Sequence, residues 1–174
     1  MGLRPQTLHL GGFPIYRSRR IFAMDTEKFI ILDETYLPQI AELYKNAFAG
    51  EPWNDDWSDE KQLAEYIKEI SSSYNALNYG LIIDGRLAAV SIGEIRHWWS
   101  GTEYKIEEFC VTPDIQRKGI GTRFLYMIEN DIRKRGLDGI FLETDNDKPS
   151  YRFYRKNGFE ELSAHVSFYK HIRN

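Results

Sequence analysis

The stretch Phe109–Thr122 reads Phe-Cys-Val-Thr-Pro-Asp-Ile-Gln-Arg-Lys-Gly-Ile-Gly-Thr and holds the parts needed to seat a diphosphate. An apolar strand runs out at Thr112–Pro113, a polar turn follows, and Gly119 and Gly121 open a helix. Amide N–H groups at a helix start lack intrahelical acceptors and lie at the positive end of its dipole. Without side chains at Gly119 and Gly121, phosphate oxygens can reach the backbone. Arg117 and Lys118 add positive charge where an anion would sit. Taken alone, the same stretch also fits a glycine turn that merely caps a helix, and both readings stand at this point. Neither GxxxxGK[ST] nor GxGxxG occurs here, so P-loop and dinucleotide-fold chemistries are set aside.

A second cluster lies at Glu51-Pro52-Trp53-Asn54-Asp55-Asp56-Trp57. Carboxylates beside tryptophans hold a cation by charge and by attraction to an aromatic face. Glu51, Trp53, Asp55 and Trp57 are therefore candidate acceptor-binding residues, against the alternative of a solvated loop with two packed tryptophans. His97, followed by Trp98 and Trp99, is a candidate for another wall of that pocket. No Cys/His grouping has metal-ligand spacing, so no metal is expected.

The elements that must position these residues follow from periodicity and punctuation. Phe29–Leu32 reads as a strand, and residues 35–48 as a helix with Ile40, Leu43 and Ala47 on one face. Ser58 is expected to cap a second helix striped by Leu63, Ile67 and Ile70. Tyr79–Ile83, Asp84–Gly85 and Leu87–Trp99 predict a hairpin, and Ser100–Gly101 turns into a third strand over 104–111. A helix over 121–135 buries Phe124, Leu125, Ile128 and Ile132 and stops at Gly136. Ile140–Thr144 reads as a parallel strand and 148–157 as a short helix, with Asp147 or Asn146 at its entry. Phe159–Leu162 and His165–His171 are expected to close the sheet as two final strands. The fold class is thus α/β (α+β): a mixed, mostly antiparallel sheet of about seven strands flanked by about four helices.

Charge and composition narrow the function class. The chain has 174 residues, enough for one domain. Four arginines and no acidic residue precede Asp25, so the chain's net −3 becomes −7 for the remainder. An acidic body disfavours nucleic acid and suits a cationic partner. Residues 1–23 read as an N-terminal extension, tag or leader, and 24–174 as the domain. Cys110, the single cysteine, cannot form an internal disulfide. With no apolar run approaching ~20 residues, no membrane partner is expected, and the expected setting is the cytoplasm, as monomer or homodimer.

Gln116-Arg117-Lys118-Gly119-Ile120-Gly121 resembles the Q/R-x-x-G-x-G/A signature of the GNAT N-acetyltransferases, between a strand and a long helix as in that family. Phe153-Tyr154-Arg155-Lys156-Asn157-Gly158-Phe159 resembles the family's second signature, at matching separation. The loop Glu51-Pro52-Trp53-Asn54 with Trp57 is similar to a stretch of aminoglycoside N-acetyltransferase-like members. The resemblance implies transfer of acetyl from acetyl-CoA, with coenzyme A in a cleft between splayed parallel strands and no metal. Phe109, Cys110 and Val111 would then offer backbone hydrogen bonds to the pantetheine arm. Residues Gln116 to Thr122 (Gln116, Arg117, Lys118, Gly119, Ile120, Gly121, Thr122) would hold the pyrophosphate. Asp147 stands where the family commonly has Asn, and Asn146 is the expected substitute.

Within that reaction, an alkylammonium with pKa near ~10.4 must lose a proton before it attacks. The departing thiolate then needs one. Tyr154 is the expected acid. Strand alternation groups Glu107 with Phe109 and Val111, and Glu108 with Ile106 and Cys110, so Glu108 is expected to face the cleft as base. Glu143 is a reserve. A lone strand cysteine with no neighbouring histidine favours direct attack in a ternary complex over an acetyl-cysteine. The expected acceptor is a small, cationic primary amine. A protein lysine or N-terminal amine, and a non-catalytic acyl-CoA sensor, are the alternatives.

Overall fold

The computed structural model describes residues 26–172; the expected extension over 1–23 lies outside them. One five-stranded sheet runs in the order β1-β2-β3-β4-β5. Its strands are β1 (Glu27–Ile31), β2 (Tyr79–Ile83), β3 (Arg86–Trp98), β4 (Gly101–Val111) and β5 (Gly139–Leu142). The first four are antiparallel neighbours, and β5 lies parallel to β4. The helices are α1 (Leu37–Phe48), α2 (Glu60–Ser71), α3 (Ile120–Lys134) and α4 (Pro149–Lys156).

Two apolar layers sandwich the sheet. On one face α1 and α2 bury Ile40, Leu43, Tyr44, Leu63 and Ile67 against Val90, Ile92 and Cys110. On the other, Phe124, Ile128 and Ile132 of α3 pack on Tyr79, Leu81, Tyr104, Ile106 and Val111. The helix starts follow local chemistry. Asp59, one residue later than expected, caps α2 by accepting from the amides of Lys61 and Gln62. At the far end of α3, Leu137 N–H donates to Ile132 O and Gly136 N–H to Arg133 O, which closes the helix.

The structure corrects the sequence reading in two places that matter for function. Residues 159–162 and 165–171 form no strands, so among the described residues the sheet has five strands rather than about seven. Their alternation is present, but Val166, Phe168 and Ile172 stay exposed and make no ladder with β5. Burial and pairing, not propensity, are what make such a run a strand.

The second correction is a β-bulge. Ile92 pairs with Glu108 and Gly93 with Ile106, so Glu107 is the extra residue of β4. Simple alternation fails across it. Tyr104 and Ile106 share the α3 face with Phe109 and Val111, whereas Glu108 and Cys110 turn to the α1–α2 face. Ile106 therefore does not share a face with Glu108.

Candidate active site

The parallel pair β4–β5 diverges after Ile106 and Leu142, its last register partners. Beyond that point Glu107–Val111 keep β3 on one side and have no strand on the other. This leaves the outer edge of β4 at Phe109 and Val111 without a strand partner, while Cys110 between them pairs with Val90 of β3. A β-edge inside a fold is normally paired or covered; here it opens toward the first turn of α3. Gln116 folds back to donate from Nε2 to Val111 O at 2.8 Å, joining the edge to the turn.

That turn is shaped for an anion. Arg117 and Gly119 have φ of 59° and 81°, and Gly119 is the N-cap of α3. Among the described residues, the amides of 117–122 find no hydrogen-bond acceptor, and the first bond of the helix runs from Arg123 N–H to Gly119 O. A Cβ built at Gly119 would meet nothing within 4 Å, so no neighbouring group fills the space beside this residue. At Gly121 it would lie 3.3 Å from the Phe153 ring, so this glycine serves the packing of α3 on α4. Lys118 donates from Nζ to Asp114 O at 3.1 Å, which keeps its charge beside the turn.

Glu108 sits on the other face of β4 in an aromatic box. Tyr44 of α1 donates to Glu108 Oε1 at 3.1 Å, and the Tyr66 hydroxyl of α2 donates to the same oxygen. Trp57 stacks on Tyr66 with centroids 5.3 Å apart and meets Tyr44 edge-on at 5.4 Å. Burial raises the Glu108 carboxyl above its ordinary range; the tyrosine hydrogen bonds pull it down, while Glu107 and Asp55 push it further up. No Lys or Arg pairs with it among the described residues.

Tyr154 of α4 is buried against Phe109, Phe153 and Phe159. Its hydroxyl has no hydrogen-bond partner among the described residues. Burial, then the nearby Glu108 and Cys110, raise its pKa well above the ordinary phenol value, so it stays protonated. Cys110 is buried as well, and burial followed by Glu108 drives its thiol far from ionisation.

The remaining expected residues divide. Asp55 lies close enough to act on Glu108, and Trp57 lines its box. Trp53 instead packs on Phe48 at 5.3 Å and receives the Lys148 ammonium 5.7 Å above its ring. Lys148 also donates to Pro52 O at 3.0 Å, tying the α1–α2 loop to the entry of α4. Glu51 is exposed at the loop's start, and Asn146 is exposed between β5 and α4. Asp147 does not cap α4: the N-cap is Lys148, without a side-chain bond, while Thr144 and Ser150 hydroxyls meet at 2.7 Å.

His97 is not brought to the site. It pairs with Thr102 at the hairpin end of β3–β4, about 20 Å along the strand from Glu108. Tyr44 and Tyr66 are the functional candidates that sequence reasoning passed over, because each sits within an apolar helix stripe and reads as core. A cavity of about 1180 Å³ between β5, α4 and residues 158–167 reaches Tyr154 and Asn146 but not Glu108 or the 117–122 turn. Among the described residues there is no metal-holding cluster and no helix long and apolar enough to cross a membrane.

A family model described as the Acetyltransferase (GNAT) family matches residues 37–159. The [Ribosomal protein bS18]-alanine N-acetyltransferase of Escherichia coli (strain K12) is 26% identical over 139 residues, covering 79% of this chain and 84% of that relative. The tRNA(Met) cytidine acetyltransferase TmcA 2 of Saccharolobus solfataricus is 27% identical over 113 residues, 63% of this chain; the match spans 14% of that longer protein. Among solved structures, the aminoglycoside N-acetyltransferase AAC(6')-Iy in complex with CoA superposes with a TM-score of 0.67 at 18% identity, covering 88% of this chain and 99% of that one. That likeness shows a shared fold.

Proposed function

The chain belongs to the GNAT acetyltransferase family, and we propose that it transfers acetyl from acetyl-CoA to the primary amine of a small cationic acceptor in a ternary complex. The observation that carries the acceptor class is the Glu108 carboxylate, held in an aromatic box with Asp55 nearby and no cationic partner among the described residues. A carboxylate withdrawn from water is costly unless a cation meets it. A substrate ammonium supplies that cation, and the tryptophan and tyrosine faces add to its attraction.

The fit of coenzyme A rests on this chain's own groups. The amides of 117–122, with Arg117 and Lys118, suit a pyrophosphate. The outer edge of β4 over Phe109, Cys110 and Val111, without a strand partner on the β5 side, suits the amide-bearing pantetheine arm, which would lie as a pseudo-strand beside β4. Asn146, exposed between β5 and α4, is the residue proposed to contact the pantetheine region.

The acceptor ammonium gives a proton to Glu108, directly or through water, and its lone pair attacks the thioester carbonyl. The C–N bond forms, the tetrahedral intermediate collapses, and the C–S bond breaks. The leaving thiolate takes the Tyr154 hydroxyl proton, and the proton still carried by the acylated nitrogen passes through solvent to restore the Tyr154 phenol, leaving the amide, the free thiol and protonated Glu108. A carboxyl raised by burial is a stronger base than one in water, while the Tyr154 phenol, raised by its own burial, is protonated when the thiolate leaves although a weaker acid than a free phenol. Cys110, buried and far from ionisation, suits backbone binding better than nucleophilic attack.

The Lys148 contact to Pro52 supports a small acceptor over a peptide. It bridges the loop beside Glu108 to the helix carrying Tyr154, where an extended chain would need an open groove. Tyr154→Phe separates this reading from a non-catalytic acyl-CoA sensor. The variant should lose about 100-fold in kcat while coenzyme A affinity is kept. A wild-type protein that binds coenzyme A but transfers acetyl to no amine would defeat the enzyme reading.

A further inference from the structure

We infer that Tyr44 and Tyr66 are positioning residues for the acetyl-transfer base: both donate to Glu108 Oε1, which holds the carboxylate in one orientation and leaves Oε2 to take the acceptor's proton. The inference deepens the reading of Glu108 given above and rests on it.

The geometry is asymmetric in a way that simple packing does not require. Both hydroxyls, from two different helices, converge on one oxygen. No described residue donates to Oε2. That oxygen is also absent from the fully buried polar atoms without partners, which are Trp57 Nε1, Ser71 Oγ and Ser73 Oγ. Among the described residues Oε2 is therefore unpaired, and it is not among their fully buried unpartnered atoms. A carboxylate present only to staple α1 and α2 to β4 would gain by spreading its acceptor capacity over both oxygens.

The donors are themselves held. Tyr44 is 4% exposed, with Phe48, Trp57 and Tyr66 rings at 4.5, 5.4 and 5.6 Å. Trp57 lies nearly flat on Tyr66, at 25°. Reacting groups are best supported by side chains whose own rotamers are locked by packing. Burial raises the pKa of both phenols, and Glu108 adds to the rise, so each remains a donor while Glu108 is ionised.

The groups that face Glu108 are Tyr44 from α1, Tyr66 from α2, Asp55 from the loop between them, Glu107 and Cys110 from β4, and Tyr154 from α4. Burial is the main influence raising its pKa, the two hydroxyl donors lower it, and Glu107 and Asp55 raise it further. Removing a donor must therefore move the base upward, and the acid limb of the kcat/KM profile must move to higher pH.

The test compares Tyr66→Phe, Tyr44→Phe, Glu108→Gln and the remote control Tyr79→Phe, whose hydroxyl donates to Asp131 at 2.8 Å on the α3 side. The two site variants should show the acid limb displaced to higher pH and kcat near neutrality reduced roughly tenfold, with KM for acetyl-CoA unchanged. Tyr79→Phe should lower Tm without moving the limb. If Tyr44→Phe fails to fold, Tyr66→Phe carries the test, because Tyr66 is only partly buried. A limb that stays in place in Tyr66→Phe, while Glu108→Gln abolishes it, overturns the positioning role alone. A Glu108→Gln variant with wild-type kcat/KM and profile overturns the base itself and this inference with it.

Discussion

Substituting Gly119 by alanine asks whether the first turn of α3 is an anion seat or only a helix cap. Gly119 has φ of 81°, and a Cβ there meets no atom within 4 Å, so the methyl is strained by backbone conformation without any clash. The left-handed conformation costs an L-residue roughly 1–2 kcal/mol, which for a domain of this size lowers Tm by roughly 2–8 °C. Gly136, at φ of 75° and also with open space around its Cβ, carries the same cost at the other end of α3, about 25 Å away. Gly119→Ala and Gly136→Ala should therefore lose similar stability by thermal melt.

Their kinetics should part. If the turn seats the pyrophosphate as proposed, the Gly119 methyl occupies the space through which phosphate oxygens would reach the amides of 117–122. Losing even one charge-assisted bond of about 1.5–3 kcal/mol raises KM for acetyl-CoA by tenfold or more, at about 1.4 kcal/mol per decade. Thiol release measured against acetyl-CoA concentration reads this directly. Equal KM values in the two variants would refute the seat and leave Gly119 as a cap.

Two further outcomes follow from buried groups. Burial raises the Glu108 carboxyl, so folding protonated Glu108 costs nothing below the ordinary carboxylate range. Stability is then lost as pH rises from that range through the raised folded value. Glu108→Gln should accordingly melt above wild type at pH 8, with the gap closing near pH 4; a constant gap would show that the side chain's charge is not what burial penalises. Cys110→Ala should keep acetyl transfer within a few-fold, and mass spectrometry should find no acetylated enzyme in the wild type; a covalent acetyl adduct at Cys110 would contradict direct transfer.

The legible part of this protein was what local chemistry dictates. The Gly119–Gly121 turn, the hairpin at Asp84–Gly85 and the stripe Phe124, Leu125, Ile128 and Ile132 all stand where composition and period placed them. Glu108 was reached by alternation from Phe109 and Val111, which holds because all three lie beyond the bulge. Ile106 lies before it and was assigned to the wrong face, since one inserted residue at Glu107 leaves no mark in a hydrophobic pattern. Tyr44 and Tyr66 escaped notice for a different reason. A tyrosine in a helix stripe reads as core whether or not its hydroxyl meets a carboxylate 64 or 42 residues away. His97 sits apart from Glu108 because the length of the β3–β4 hairpin carries it to the opposite end, a separation that its flanking aromatics do not reveal. Residues 165–171 show that alternation without a partner edge is not a strand.

The most direct measurement is thiol release from acetyl-CoA with short diamines and polyamines beside alanine-initiated peptides, with products identified by mass spectrometry. Saturable release coupled one-to-one to an N-acetylated diamine is expected. Release with the peptides alone, or none above the hydrolytic background with any amine, would contradict it.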